Sequence, residues 1–115
     1  MSTVKNWTDI CNLGDLVDNS GVCALVNGEQ VAIFKIKQRD ETYYYAISNW
    51  DPIGKANVLY RGLIGSVADK TVVISPLFKQ RYCLASGECL DDEQRQVNVF
   101  GVRVEGNKVQ LALAS

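Results

Sequence analysis

The dipeptide Asn27-Gly28 stands between two apolar runs, Val22-Cys23-Ala24-Leu25-Val26 and Val31-Ala32-Ile33-Phe34-Lys35-Ile36. Both turn residues tolerate the positive φ of a type I′ turn, so the segment predicts a tight β-hairpin. The same rhythm recurs downstream. Gln38-Arg39-Asp40-Glu41 reads as a polar turn, and Thr42-Tyr43-Tyr44-Tyr45-Ala46-Ile47 follows, dense in strand-favouring aromatics. Leu63 to Val67 and Thr71 to Ile74 flank Ala68-Asp69-Lys70 as a second hairpin. Arg81 to Leu84 and Glu88 to Leu90 flank Ala85-Ser86-Gly87 as a third. Val99 to Val104 and Val109 to Leu113 flank Glu105-Gly106-Asn107 as a fourth, with Val102, Val104, Val109, Leu111 and Leu113 alternating against the other face. Helical signal is confined to one turn at Leu13-Gly14-Asp15-Leu16, and Asp91 to Arg95 is acidic and loop-like. Many short strands with turns every ~8–12 residues imply an all-β, antiparallel sandwich or barrel.

No linker, repeat or low-complexity tract interrupts the 115 residues, so residues 1–115 are expected to form a single domain. Apolar residues make up 47% of the chain, enough for a real core. Twelve basic residues are scattered among thirteen acidic ones, for a net charge of −1. No basic stripe forms, which argues against nucleic acid as a partner, because that affinity comes from clustered Lys and Arg. No apolar run approaches the roughly 18–20 residues of a membrane span. Met1 to Asn6 carries no signal-type apolar region, so a cytoplasmic location is expected.

The chain has no histidine, which excludes Ser-His and Cys-His nucleophile pairs. No phosphate-binding glycine loop and no nucleophile elbow is present. No residue reads as catalytic. Cys11, Cys23, Cys83 and Cys89 match no zinc spacing, and in a cytoplasmic chain they are expected as reduced, buried thiols. If Ala85-Ser86-Gly87 is the turn, Cys83 faces Cys89 within disulfide reach. A thiol redox protein using that pair is one alternative function. Lys35, Lys37, Arg39, Lys79, Gln80 and Arg81 read as ordinary solvated positions.

Two segments carry a further signal. Ser75-Pro76-Leu77-Phe78-Lys79-Gln80-Arg81 through Leu90 resembles the second cluster loop of Rieske-type ferredoxins, and Ile47-Ser48-Asn49-Trp50-Asp51-Pro52 resembles the first. From pattern alone, Rieske-like, SH3-like and OB-like layouts all stay open. The resemblance implies a Rieske-like antiparallel sandwich of three small sheets. Its cluster-binding subdomain, about residues 49–90, would be vacant. A Rieske centre takes two cysteines and two histidines. On this sequence the ligand positions fall on Asn49, Asp51, Ser75 and Phe78, none of which is a thiol or an imidazole. One aspartate with two neutral oxygens is too few for a hard cation. The plainer assignment gives Asn49 and Asp51 to the turn before Pro52, bonding their own backbone.

Further segments extend the resemblance, among them Asp9-Ile10-Cys11, Gly21 to Val26, Glu29 to Phe34, Ala46 to Pro52, Arg61-Gly62-Leu63-Ile64 and Ser75 to Arg81. In order, they are similar to the small subunit of bacterial NAD(P)H-dependent nitrite reductase. That family implies a non-catalytic subunit without a metal or cofactor of its own. FAD, sirohaem and an iron–sulfur cluster are then expected in a large partner subunit that reduces nitrite to ammonium. The resemblance also directs attention to the loop tips, where cluster-bearing relatives meet partners. Phe78 is expected to fold inward and fill the space a cluster would leave. Trp50, with Ile53 and Leu77 around it and Lys79 on the rim, is the candidate interface. A Rieske-like binding module with an unrelated partner is the other alternative.

Overall fold

In a computed structural model that describes residues 6–113, Asn27 and Gly28 sit at φ 50° and 82°, the left-handed pair that a type I′ hairpin needs. Met1 to Lys5, where no signal-type region was read, lie outside the described residues. The strands are β1 (Asn6–Asn12), β2 (Ser20–Val26), β3 (Glu29–Gln38), β4 (Glu41–Ser48), β5 (Trp50–Asp51), β6 (Ala56–Asn57), β7 (Leu63–Val67), β8 (Lys70–Ile74), β9 (Arg81–Cys83), β10 (Val99–Glu105) and β11 (Lys108–Leu113). Short 3-10 turns occupy Leu13–Asp15 and Leu59–Arg61.

Three antiparallel sheets result. The largest runs β1-β11-β10-β4-β3-β2, the second pairs β5 with β6, and the third runs β7-β8-β9. This is the Rieske-like, all-β arrangement expected. β3 is the spine. Val31 and Ile33 pack into one apolar cluster with Leu16, Val26, Ala46, Val109 and Leu111. Ala32, Phe34 and Ile36 point the other way, into a cluster with Ile47, Leu59, Val73, Tyr82 and Leu84. A strand covered on both faces reads as a continuous apolar run, which is why this one does not alternate. Each fully buried large apolar side chain contributes about 1.5–3 kcal/mol. The second cluster joins the large sheet to the β7-β8-β9 sheet and so fixes the loops that both sheets hold.

The third predicted hairpin is only partly formed. β9 ends at Cys83, and its return is reduced to isolated pairings, Tyr82 with Cys89 and Glu88 with Gln96. Cys83 therefore does not face Cys89. The N–H of Cys83 donates to the Glu88 carbonyl and the N–H of Gly87 to the Cys83 carbonyl, which shifts the register by one. Because side chains alternate along a strand, that shift places the two thiols on different faces.

Candidate functional site

Two loops meet at one end of the molecule. The first runs from Asn49 to Lys55 and closes where the Lys55 N–H donates to the Asp51 carbonyl at 2.7 Å. The second runs from Ser75 to Gln80. It closes where the Ser75 N–H donates to the Gln80 carbonyl at 2.8 Å and the Lys79 N–H to the Ser75 carbonyl at 3.1 Å. Lys55 and Lys79 each take the left-handed conformation near the loop exit, at φ 57° and 66°.

Asp51 ties the loops together. It is fully buried, and its carboxylate collects donors from both sides. Ser75 Oγ donates to Oδ2 at 2.5 Å, while Tyr82 Oη and the Ile53 N–H each donate to Oδ1 at 2.9 Å. The Gly54 N–H adds a fourth hydrogen bond. Burial pushes the Asp51 carboxyl up, but these four bonds outweigh it and hold the group below the usual carboxylate range. The Tyr82 phenol is driven far above its ordinary value, first by burial and then by its bond to Asp51. Gly54 is required here, since a Cβ would strike Leu77 and stand 2.9 Å from Asp51 Oδ2.

Asn49 is also fully buried. Its Oδ1 accepts from the Tyr60 N–H at 2.8 Å, and its Nδ2 donates to Gln30 Oε1 at 3.1 Å and to Cys23 Sγ at 3.6 Å. The expected local turn role therefore holds for Asp51 toward Ile53 but fails for Asn49, whose side-chain partners lie on β2, β3 and the Leu59–Arg61 turn. Half of the Asp51 network, the bonds from Ser75 and Tyr82, is likewise long-range.

Phe78 corrects a second expectation. It is 67% exposed and does not fold inward. Leu77, and not Phe78, packs against Gly54 beside the contact between Asp51 and Ser75. Trp50 and Leu77 are each 44% exposed, while Ile53 is half-buried against the second core cluster. Trp50 also lines a shallow cleft with Ser48, Pro52 and Gln96 to Asn98. Lys79 is exposed as expected, but Gln80 is not a solvated position. It is 7% exposed, and its buried Oε1 has no hydrogen-bond partner.

The sequence reading missed Tyr82, Gly54 and Lys55. A buried tyrosine signals a hydrogen-bond partner, and that was the available clue to Tyr82.

The three sheets and the paired loops define a Rieske-like domain, and the family model for the Rieske-like [2Fe-2S] domain matches residues 6–112. More particularly, the chain belongs to the nitrite reductase small-subunit family. It is 45% identical over 108 residues to the nitrite reductase (NADH) small subunit of Salmonella typhimurium, across 94% of this chain and 98% of that relative. The NMR structure of the Escherichia coli protein NirD superposes with a TM-score of 0.84 at 44% identity, covering 97% of this chain and all of that one. A third relative differs in kind. The chain is 37% identical over 105 residues to part of the nitrite reductase [NAD(P)H] large subunit of Klebsiella oxytoca, covering 91% of this chain and 11% of that much longer protein.

The family description implies an iron–sulfur cluster, and the donors at the matching loops do not fit one. Asn49, Asp51 and Ser75 offer an amide, a carboxylate and a hydroxyl, and Asp51 and Ser75 already satisfy each other. The chain has no histidine, and none of its four cysteines falls within residues 49–55 or 75–80. Among the described residues, no group of three or more His, Cys, Asp or Glu is placed to hold a metal ion. A hydrogen bond, Ser75 Oγ to Asp51 Oδ2, joins the two loops, whereas a Rieske centre needs thiolate and imidazole ligands.

Proposed function

We propose that this chain is the accessory small subunit of a cytoplasmic NAD(P)H-dependent nitrite reductase, acting as one Rieske-like unit in nitrate assimilation. It docks on the large subunit through the paired-loop tip. FAD, sirohaem and the iron–sulfur cluster belong to that partner, and this chain supplies a folded surface rather than a redox centre. The observation that carries the reading is the Klebsiella relative, in which a stretch 37% identical to this chain lies within a large subunit. A domain found joined to the large chain in one protein is well suited to bind it as a separate chain in another. The exposed Trp50 and Leu77 support the choice of face, since exposed apolar groups mark interfaces. Ile53 and Lys79 complete the proposed contact.

Co-expression of this chain with the nitrite reductase large subunit of the same organism tests the proposal. The expected result is co-purification and a change in NADH-dependent nitrite reduction when the small chain is withheld. The isolated chain is expected to contain no stoichiometric iron or sulfide. A large subunit that neither binds the chain nor changes its turnover overturns the reading. Iron at one equivalent or more overturns the assignment of all redox chemistry to the partner.

A further inference from the structure

We propose that the tip fits an apolar recess rimmed with carboxylates on the large subunit, and that Lys55 and Lys79 are the cations that meet that rim. The inference rests on the docking reading above and names the chemistry of the partner's surface. Three observations lead to it.

The first is the charge of the tip itself. Residues 49–55 and 75–80 contain one acidic residue, Asp51, which is fully buried beneath the surface. The charged side chains these loops expose are Lys55 and Lys79. The chain as a whole carries a net charge of −1, so the tip runs against the general balance.

The second is that these two cations are unspent. Elsewhere, Lys35 and Lys37 pair with Asp18, Arg81 pairs with Asp91, and Arg95 pairs with Asp92. Arg61 bonds Tyr60, Arg103 lies over Trp7, and Lys108 bonds Asn12. Arg39 and Lys70, outside the two loops, share with Lys55 and Lys79 the lack of an ion pair or side-chain hydrogen bond among the described residues. Neither Lys55 nor Lys79 has a carboxylate or other side-chain partner among the described residues. The acidic loop nearest in sequence to the second tip loop does not supply one: Asp91 and Asp92 pair with Arg81 and Arg95, and Glu93 forms no ion pair with Lys79.

The third is position. Each lysine stands at the exit of its loop, fixed there by a backbone bond into Asp51 or Ser75. Between them the loops present Trp50, Leu77 and Phe78. An apolar centre with charges at its edge is the usual anatomy of an interface between proteins. Rim charges of this kind act mainly on encounter, raising the association rate in a salt-dependent way, while buried apolar anchors set the dissociation rate.

The test is the kinetics of this chain binding the purified large subunit with its own cofactors, measured at several salt concentrations. The variants are Lys55→Gln, Lys79→Gln, the double variant and the charge reversal Lys55→Glu/Lys79→Glu. Lys55→Gly and Lys79→Gly serve as controls that suit the left-handed backbone, and circular dichroism checks folding. The double Gln variant is expected to associate about tenfold more slowly at low salt, with a flatter salt dependence and a dissociation rate changed less than about threefold. Charge reversal should slow association further. An unchanged rate and salt slope in the double variant, or faster binding on reversal, overturns the acidic rim. Trp50→Ala and Leu77→Ala run in parallel. If both bind normally, the docking face itself is wrong. If they weaken binding while the lysine variants are silent, only the acidic rim is lost.

Discussion

Ser75 Oγ donates to Asp51 Oδ2 at 2.5 Å, joining two loops whose residues lie 24 positions apart. The bond pins the two loops to each other from buried side chains. Asp51→Asn turns one acceptor oxygen into a donor facing hydroxyl and N–H groups already aimed at it. The expected loss is about 2–3 kcal/mol, and for Ser75→Ala about 1–2 kcal/mol. Urea unfolding measures both. Hydrogen exchange should show Lys55 and Lys79 amides opening in each variant before those of β3 do. Equal protection in variant and native chains would mean the two loops do not depend on this bond.

The same carboxylate gives the protein an acid limb. The folded-state pKa of Asp51 lies below its ordinary value, so the unfolded chain takes up the proton first as pH falls. The stability it contributes is present above about pH 4 and is lost below it. Asp18, bonded to Lys35 and Lys37, and Asp91, bonded to Arg81, shift in the same direction. Tyr82 has the opposite sign. Its raised pKa means the unfolded chain deprotonates first, so its contribution holds up to about pH 10 and falls away above. Thermal melting across pH should fall at both ends. Asp51→Asn should flatten the acid limb and Tyr82→Phe the alkaline one; a limb unchanged by its variant assigns it to other groups.

Gln80 contributes in the other direction. A buried acceptor without a donor costs about 1–3 kcal/mol relative to a satisfied one. Gln80→Met keeps the chain length and removes the amide. Its unfolding free energy is expected to equal or exceed that of the native chain. A loss above about 1 kcal/mol would show that the amide is bonded in solution.

Cys83 and Cys89 are both buried and not bonded to each other, and the register places their side chains on different faces. The Cys83 thiol is burdened by burial, yet the Ser86 hydroxyl, the Ser86 and Ala85 N–H groups and the charge of Lys70 bring it below its ordinary value. An eased thiol without a facing partner does not make a disulfide switch. Cys83→Ser/Cys89→Ser is expected to fold and to bind the large subunit, losing about 1–2 kcal/mol of stability. Loss of binding with the fold intact would restore a role for the thiols.

The hairpins were legible because their turns announce themselves. Asn27-Gly28, Ala68-Asp69 and Gly106-Asn107 each sit between strand-like runs, and the strands followed to within a residue or two. β1 was not legible. Asn6 to Asn12 is largely polar, and a register shift between Asp9 and Cys11 breaks its alternation; pairing with β11 makes it a strand. β5 and β6 span two residues each, too short for any periodicity. The loop frame was visible in Asn49, Asp51 and Ser75, but what joins them was not. Hydrogen bonds between distant residues leave no spacing in the sequence. Phe78 was misplaced for that reason: the frame suggested an empty space, and the Asp51–Ser75 contact between the loops could not be read from the chain.

Trp50 is the residue on which the docking surface stands or falls. It is 44% exposed beside a shallow cleft, and its backbone pairs with Asn57 in the β5-β6 ribbon. Neither core cluster includes it, so its truncation should spare the fold. A large aromatic held on a short, pinned ribbon loses little freedom on binding, which is one reason such residues dominate interface energies. Trp50→Ala is expected to weaken assembly with the large subunit by roughly 2 kcal/mol or more, chiefly by faster dissociation. Leu77→Ala should act in the same direction by a smaller amount. Calorimetric titration gives the affinities, and circular dichroism with urea unfolding gives the fold control. Normal affinity in Trp50→Ala would move the docking surface elsewhere. Unfolding of that variant would place the ring in the structural core, contrary to its exposure here.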